Sequence, residues 1–144
     1  MKTVNVLRIL SVLILVGVLL GCAATPTPPK VYAVGETAEQ GGIKITLNSY
    51  KLAEDQVLTM NFTVENSSER EFNVSTRYTM EGRSAEGTKL LFTMCPANEL
   101  GGRIAIGEKV TGDVCLANTK TLEGVTVVYD PTAQQDYKTS WAPR

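Results

Sequence analysis

The feature that most constrains this chain is an alternation of apolar and polar residues in short runs, which begins at Val31. In the run LTMNFTVE, residues 58–65, four apolar side chains fall on one face and four polar side chains on the other, which is the period of a β-strand. The run IKITLN, residues 43–48, alternates in the same way after a turn at Gly41-Gly42. One face of each strand is therefore predicted to lie in a core and the other in water.

Further runs of the same kind fill the rest of the chain. TKLLFTMC, RIAI, VTGDVCLA and GVTVVYDP are predicted to be strands, with a turn at EGRSAEG and an irregular loop at PANELGG. Phe72, Val74 and Tyr78 are predicted to share one face of the strand that follows Asn66-Ser67-Ser68. About seven to nine short strands without a long helix predict an all-β fold, an antiparallel β-sandwich, because a single sheet would leave one apolar face unburied.

The amino terminus has the pattern of a targeting segment. Lys2 and Arg8 are followed by an uncharged apolar stretch, residues 9–20, that is shorter than the roughly 20 residues a membrane-spanning helix needs. It ends in LLGC at Cys22, which resembles the lipobox of bacterial lipoprotein precursors, a family in which the cysteine receives a diacylglyceryl group and the chain is cut before it. The resemblance implies a lipoprotein signal peptide over residues 1–21. The alternative is that Cys22 is an ordinary small apolar residue in an uncleaved anchor or in a signal peptide cut later.

Residues 22–30 follow as a tether. Three prolines stand there among threonine and alanine, a composition that favours an extended polyproline II chain and cannot build a core. Acyl chains on Cys22 would hold the protein on a membrane without spanning it. We therefore expect an exported protein, anchored on the outer face of the cytoplasmic membrane or in an outer membrane where the cell has one, with residues 31–144 as its folded domain.

The two other cysteines form an even pair once Cys22 is set aside. Cys95 and Cys115 belong to a chain that is predicted to be exported, and disulfides form and persist in oxidising compartments. Pro96 directly after Cys95 places the first sulfur at a strand end, while Cys115 lies in a predicted strand. A bridge between them would tie a loop to the sheet and stabilise the domain by roughly 3 kcal/mol. Two free thiols are the alternative.

Three stretches, VYAVGETAEQGGIKITLNSY, LTMNFTVENSSEREFNV and RIAIGEKVTGDVCL, share their order and spacing with a known family. The shared elements are Val34-Gly35-Glu36, a strand that ends in Val64-Glu65-Asn66, and a turn at Gly107-Glu108, before which the family often has proline and this chain has Ile106. Over most of residues 31–130 the chain thus resembles an immunoglobulin-like family known as a domain of unknown function, common on bacterial lipoproteins and also labelled telomeric-repeat-binding-factor-2-like. The resemblance implies an immunoglobulin-like sandwich with no agreed activity and no catalytic residues to carry over.

Charge and residue types exclude several classes of function. The chain has 14 Lys and Arg residues against 15 Asp and Glu, a net charge of -1, so it has no excess of positive charge to attract the phosphates of nucleic acid. It has no histidine, the side chain most used in acid–base catalysis and the commonest imidazole metal ligand. The cluster of Glu69, Arg70 and Glu71 follows a turn and is interpreted as solvated surface. We expect no enzyme activity, no cofactor and no metal site.

Tyr137 and Trp141 are the candidate partner-binding residues. Together they could form an exposed aromatic platform for a sugar or a protein; the alternative is that this terminal segment covers the core. The expected function is a non-catalytic binding or interaction module on the cell envelope, with an envelope protein or glycan as its partner in addition to the membrane. The alternatives are a passive spacer or assembly subunit and an envelope enzyme that uses carboxylates.

Overall fold

The structure is a computed structural model that describes residues 30–129 and 139–143, and it is built mainly from β-strands. The strands within these ranges are β1 (Val31–Tyr32), β2 (Thr37–Gln40), β3 (Ile43–Leu52), β4 (Leu58–Asn66), β5 (Phe72–Ser75), β6 (Met80–Arg83), β7 (Lys89–Thr93), β8 (Gly101–Ile104), β9 (Lys109–Ala117), β10 (Thr126–Tyr129) and β11 (Thr139–Trp141). One helical turn, α1 (Thr76–Thr79), lies between β5 and β6. The described strands outnumber the prediction because β1 and β11 have only 2 and 3 residues, too few for an alternation to be visible.

The strands form a β-sandwich whose two layers are joined by one strand. In hydrogen-bonded order the main sheet is β1-β11-β10-β6-β7-β9-β4-β3-β2, and β5 and β8 form a separate two-stranded ribbon. β7 changes partner along its length, since Leu90 pairs with β6 whereas Leu91 begins the pairing with β9. Phe62 of β4 and Trp141 of β11 have ring centroids 5.5 Å apart. The two halves of the sheet therefore lie face to face, and the predicted sandwich is confirmed.

The core confirms the predicted alternation in the longest strands. Every second residue of β4, from Leu58 to Asn66, is buried. The facing residues of β3, from Ile43 to Leu47, bury the same face, and a bulge between Leu47 and Ser49 then shifts the register. Each apolar side chain buried in this way stabilises the fold by about 1.5–3 kcal/mol relative to an exposed one.

The turn predicted at Gly41-Gly42 is confirmed, and it is a two-residue hairpin turn between β2 and β3. Gln40 pairs with Ile43, and the two glycines have φ of 57° and 78°, a conformation that glycine adopts without strain. A Cβ atom at Gly42 would lie 2.7 Å from the Cα of Ser68, whereas one at Gly41 would meet no heavy atom of the described residues within 4 Å. The turn therefore packs directly against the segment that follows β4.

A disulfide joins Cys95 and Cys115, as the sequence predicts. Their Cα atoms are 5.4 Å apart, and the two residues are separated by 20 positions in the chain. Cys95 follows the end of β7, and Cys115 lies within β9 opposite Thr93. The bridge therefore ties the loop after β7 to the neighbouring strand.

The prediction for Tyr78 is wrong. The strand that carries Phe72 and Val74 ends at Ser75, and α1 follows, so Tyr78 is 87% exposed instead of sharing their face. The Thr79 hydroxyl donates a hydrogen bond of 2.7 Å to the Ser75 carbonyl. Such a local bond competes with the strand ladder and favours a helical turn.

Two predicted strand boundaries also differ from the structure. The turn predicted at EGRSAEG begins later, because β6 continues to Arg83 and the hairpin closes with a hydrogen bond from Ser84 N–H to the Thr88 carbonyl (2.8 Å). The strand predicted at RIAI ends at Ile104 and begins earlier, at Gly101. Ile106 therefore lies in the turn before β9, with its side chain exposed.

Candidate binding cleft

A cleft of about 720 Å³ lies at the end of the sandwich where the β2–β3 turn, the β4–β5 connection and the end of β10 meet. We call it the terminal cleft, and it is lined by residues 40–43, residues 68–72 and Tyr129. Its volume is within the range of about 300–1,000 Å³ that is usual for small-molecule pockets. These three segments are far apart in the sequence and are brought together only by the fold.

The wall of the terminal cleft is largely apolar. Ile43 at the start of β3 and Tyr129 at the end of β10 are buried, and Phe72 at the start of β5 is partly buried against the core. The rings of Phe72 and Tyr129 pack edge to face, with their centroids 6.5 Å apart and their planes at 69°. Packing therefore holds the two rings in a defined arrangement.

The Tyr129 hydroxyl is the unusual group in this wall. Tyr129 is 2% exposed, and its hydroxyl oxygen has no hydrogen-bond partner among the described residues. Burial raises the pKa of this hydroxyl far above its ordinary value, because desolvation disfavours the phenolate. The group therefore keeps its proton at physiological pH. Less than 1 Å² of its oxygen is accessible, so the hydroxyl does not open into the cleft. A buried hydroxyl without a partner costs about 1–3 kcal/mol of stability.

Asn66 holds one wall of the terminal cleft in place. This buried residue ends β4, and its side-chain amide donates hydrogen bonds to the carbonyls of Arg70 (2.7 Å) and Ile104 (3.0 Å). Its Oδ1 accepts bonds from the N–H and the hydroxyl of Ser68, at 3.0 and 2.6 Å. Sequence reasoning predicted a turn at Asn66-Ser67-Ser68, but it missed that the asparagine supports the turn from the interior.

The rim of the terminal cleft carries balanced charge. Glu69 and Arg70 are exposed neighbours of opposite sign. Glu71 lies 3.4 Å from the Arg103 guanidinium of β8, and both side chains are largely exposed. These positions agree with the predicted solvated cluster, and the rim presents no net charge that would select a strongly charged ligand.

The outer face of the sheet is polar and internally bonded. One row contains a threonine from each of four adjacent strands: Thr37, Thr46, Thr63 and Thr111. Their hydroxyls meet in pairs at 2.7 and 2.8 Å. The next row alternates in charge: Glu39, Lys44, Glu65 and Lys109. A hydrogen bond from Lys44 is the main cause that lowers the pKa of Glu65. Because these groups bond to one another, we interpret the face as solvated surface that stabilises the sheet.

A second, smaller cavity of about 200 Å³ lies at the opposite end, between the β6–β7 turn and the loop after β9. Its lining includes Ser84 and Glu86, and a hydrogen bond from Ser84 lowers the pKa of Glu86. In the nearby strand β6, burial raises the pKa of Glu81, but hydrogen bonds from Lys89 and Arg83 outweigh it and leave the pKa below 4.5. These carboxylates are therefore suited to ion pairing and not to accepting protons near neutral pH.

Trp141, one of the two candidate partner-binding residues, is buried in the structure. It is 0% exposed, and its ring centroid lies 5.5 Å from that of Phe62 and 6.0 Å from that of Tyr32. It is buried because β11 pairs with both β1 and β10, so this segment covers the core, as the alternative interpretation had it. Tyr137 and the predicted lipidation site Cys22 lie outside the described residues.

Within the described residues, no three or more Cys, Asp or Glu side chains lie together in a group that could hold a metal ion. No helix within the described ranges is long and apolar enough to span a membrane.

Comparisons with known proteins support the fold. No protein-family model matches the chain, and no curated protein sequence matches it. Among solved structures, the YjhA protein from Bacillus subtilis is similar over 79% of this chain and 100% of its own, with 19% identity and a TM-score of 0.67. The secreted protein MPT63 from Mycobacterium tuberculosis is similar over 80% of this chain and 98% of its own (15% identity, TM-score 0.61).

A third similar structure is YcdA from Bacillus subtilis, described as a candidate lipoprotein. The likeness covers 74% of this chain and 38% of that one, with 18% identity and a TM-score of 0.60. At these identities the likeness concerns the fold, and it agrees with the β-sandwich described above.

Proposed function

We propose that this chain is a lipid-anchored cell-envelope protein whose immunoglobulin-like sandwich acts as a non-catalytic binding module, with the terminal cleft as its binding site. The observation that carries the proposal is the cleft itself, a concavity of about 720 Å³ with Ile43, Phe72 and Tyr129 in its wall. A mostly apolar concavity of this volume is typical of ligand sites. Membership of the immunoglobulin-like family of unknown function is part of this proposal.

The position on the envelope is supported by the amino-terminal sequence and by the kind of protein that shares the fold. The LLGC motif at Cys22 follows an apolar segment of signal-peptide length. A secreted protein and a candidate lipoprotein are among the proteins of similar structure. The disulfide between Cys95 and Cys115 is also of the kind that persists in an oxidising, exported setting.

The anchor is tested by fractionating cells that make the wild-type chain or the Cys22→Ser variant. The wild-type protein should be found in the membrane fraction, with a diacylglyceryl mass on a peptide that begins at Cys22. The Cys22→Ser chain should lack that mass and keep its signal peptide. An unmodified Cys22 in the wild-type protein would refute the anchor.

Binding at the terminal cleft is tested by photo-crosslinking in living cells. A photoreactive phenylalanine analogue replaces Glu69 on the rim, and a matched control variant carries it at Glu123, an exposed residue at the opposite end of the sandwich. Adducts of a defined mass should form from position 69 and not from position 123. Equal or absent labelling at the two positions would favour the passive spacer instead.

A further inference from the structure

The outer face of the sheet is built from a repeated three-residue pattern. β2 carries Thr37-Ala38-Glu39 and β4 carries Thr63-Val64-Glu65, each with its middle residue buried in the core. The strands next to them, β3 and β9, carry Lys44-Ile45-Thr46 and Lys109-Val110-Thr111. Because these strands are antiparallel, each glutamate lies opposite a lysine and each threonine opposite a threonine. The two kinds of strand therefore alternate across the sheet.

The charged row is incomplete at both of its ends. In its middle, the Lys44 ammonium lies 3.2 Å from the Glu65 carboxylate. Glu39 at one end and Lys109 at the other are exposed, and their side chains form no ion pair or hydrogen bond with a described residue. An unpaired carboxylate and an unpaired ammonium therefore stand at opposite ends of one row.

The backbone of β2 is open at the acidic end of this row. In the described part of the chain, β2 is the outermost strand of the sheet. Gln40 and Ile43 pair across the two-residue turn, and hydrogen-bonded pairs alternate with non-bonded pairs along an antiparallel ladder. The N–H and C=O groups of Thr37 and Glu39 therefore point away from β3. We call residues 37–39 the acidic edge.

β9 is open at the basic end of the row. β7 pairs with β9 at residues 115–117, and Glu99 bridges to Asp113. No described strand lies beside residues 109–111 on the side away from β4. We call residues 109–111 the basic edge.

Backbone groups of the basic edge are free to bond to a new strand. The Asn66 N–H donates a 2.9 Å hydrogen bond to the Glu108 carbonyl, so the backbone groups of Lys109 and Thr111 point away from β4. On that side the Asn98 amide donates a 3.1 Å bond to the Thr111 carbonyl. The N–H of Thr111 and both backbone groups of Lys109 remain for an added strand.

We propose that copies of this chain associate side by side, with the acidic edge of one copy pairing antiparallel with the basic edge of the next. Glu39 then lies opposite Lys109 of the neighbouring copy and Thr37 opposite its Thr111, so both rows of the outer face continue across the contact. Each copy has one edge of each kind, so the contact forms open rows instead of closed dimers. The inference goes beyond the proposed function, since it uses neither the terminal cleft nor the lipid on Cys22.

The contact is tested with equal amounts of unlabelled and isotope-labelled full chain and a carbodiimide, which joins a carboxylate to an amine that touches it. Peptide mapping should find Glu39 joined to Lys109 in species that combine both isotopes. Within one chain β3 and β4 separate the two positions by about 14 Å, too far for this reagent. The absence of a mixed-isotope link between Glu39 and Lys109 would overturn the proposal.

A charge exchange tests the complementarity of the two edges by sedimentation velocity of the full chain. Glu39→Lys gives a chain with two basic edges, and Lys109→Glu gives one with two acidic edges. Each variant alone should associate about 2- to 30-fold more weakly than the wild type, because like charges then lie opposite each other. An equal mixture of the two variants pairs opposite charges at every contact and should regain the wild-type association.

Matched controls separate the edges from net charge. Glu123→Lys and Lys120→Glu make the same changes of charge on exposed residues at the opposite end of the sandwich, and each should associate as the wild type does. Equal weakening in these controls, or a mixture that stays dissociated while both edge variants are folded, would refute the proposal. An unfolding midpoint measured on each variant verifies that it is folded.

Discussion

Replacement of Tyr129 by phenylalanine is expected to stabilise the ligand-free domain. The hydroxyl is buried beside an apolar wall and has no hydrogen-bond partner among the described residues. Leaving such a group unpaired costs about 1–3 kcal/mol, and phenylalanine keeps the ring and its edge-to-face contact with Phe72. The free energy of unfolding should therefore rise by about 1–3 kcal/mol.

Equilibrium unfolding in urea measures this change. The midpoint should move to higher urea while the slope of the free energy against urea concentration stays the same. The melting temperature should rise by roughly 4 °C for each kcal/mol gained in a domain of this size. Tyr78→Phe is the matched control, and it should change the unfolding free energy by less than about 0.5 kcal/mol because Tyr78 is exposed.

A loss of stability in Tyr129→Phe would refute the reasoning. It would mean that the hydroxyl makes a favourable hydrogen bond in the folded protein.

Three further predictions concern the scaffold. Gly42→Ala should destabilise the domain by about 1–3 kcal/mol more than Gly41→Ala in urea unfolding, because both positions have positive φ but only the former is crowded; equal losses would contradict the packing of this turn. The pKa of Glu81 in the folded protein lies below 4.5, so its carboxylate stabilises the fold above about pH 4.5, and this stabilisation is lost as the pH falls through the folded pKa. The free energy of unfolding measured as a function of pH should therefore fall less at acidic pH in Glu81→Gln than in the wild type. An equal fall in both would contradict this prediction. Reduction of the Cys95–Cys115 bridge should lower the unfolding free energy by about 3 kcal/mol, whereas no change would show that the bridge does not constrain the unfolded chain.

The strands and the disulfide were predictable because their signals are local or can be counted. Residues 58–65 alternate strictly, and the structure buries each apolar residue of that run. The pairing of Cys95 with Cys115 followed from setting Cys22 aside. In both cases the decisive information lies within one short run or in the number of residues of one type.

The errors arose where tertiary contacts or local hydrogen bonds override the pattern. Tyr78 continues an apparent period of two, but the Thr79 side-chain bond supports a helical turn there. Trp141 near the carboxyl terminus left two interpretations open, and only the pairing of β11 with β1 and β10 shows that it is buried and covers the core. Neither contact leaves a trace in the residue sequence around it.

The terminal cleft could not be predicted from the sequence. Its lining comes from residues 40–43, residues 68–72 and Tyr129, and no spacing rule connects these segments. Tyr129 looks like an ordinary inward residue of the strand GVTVVYDP. Only the assembled fold shows that its hydroxyl is buried without a partner.

The most direct test of the central claim is native mass spectrometry of the full lipidated chain, extracted from its own membrane in lipid nanodiscs. The account predicts a bound species in addition to the covalent lipid, and the same species in Tyr78→Phe, a change on an exposed side chain outside the cleft. A mass equal to that of the chain with its covalent lipid alone would contradict the claim that the terminal cleft is a binding site.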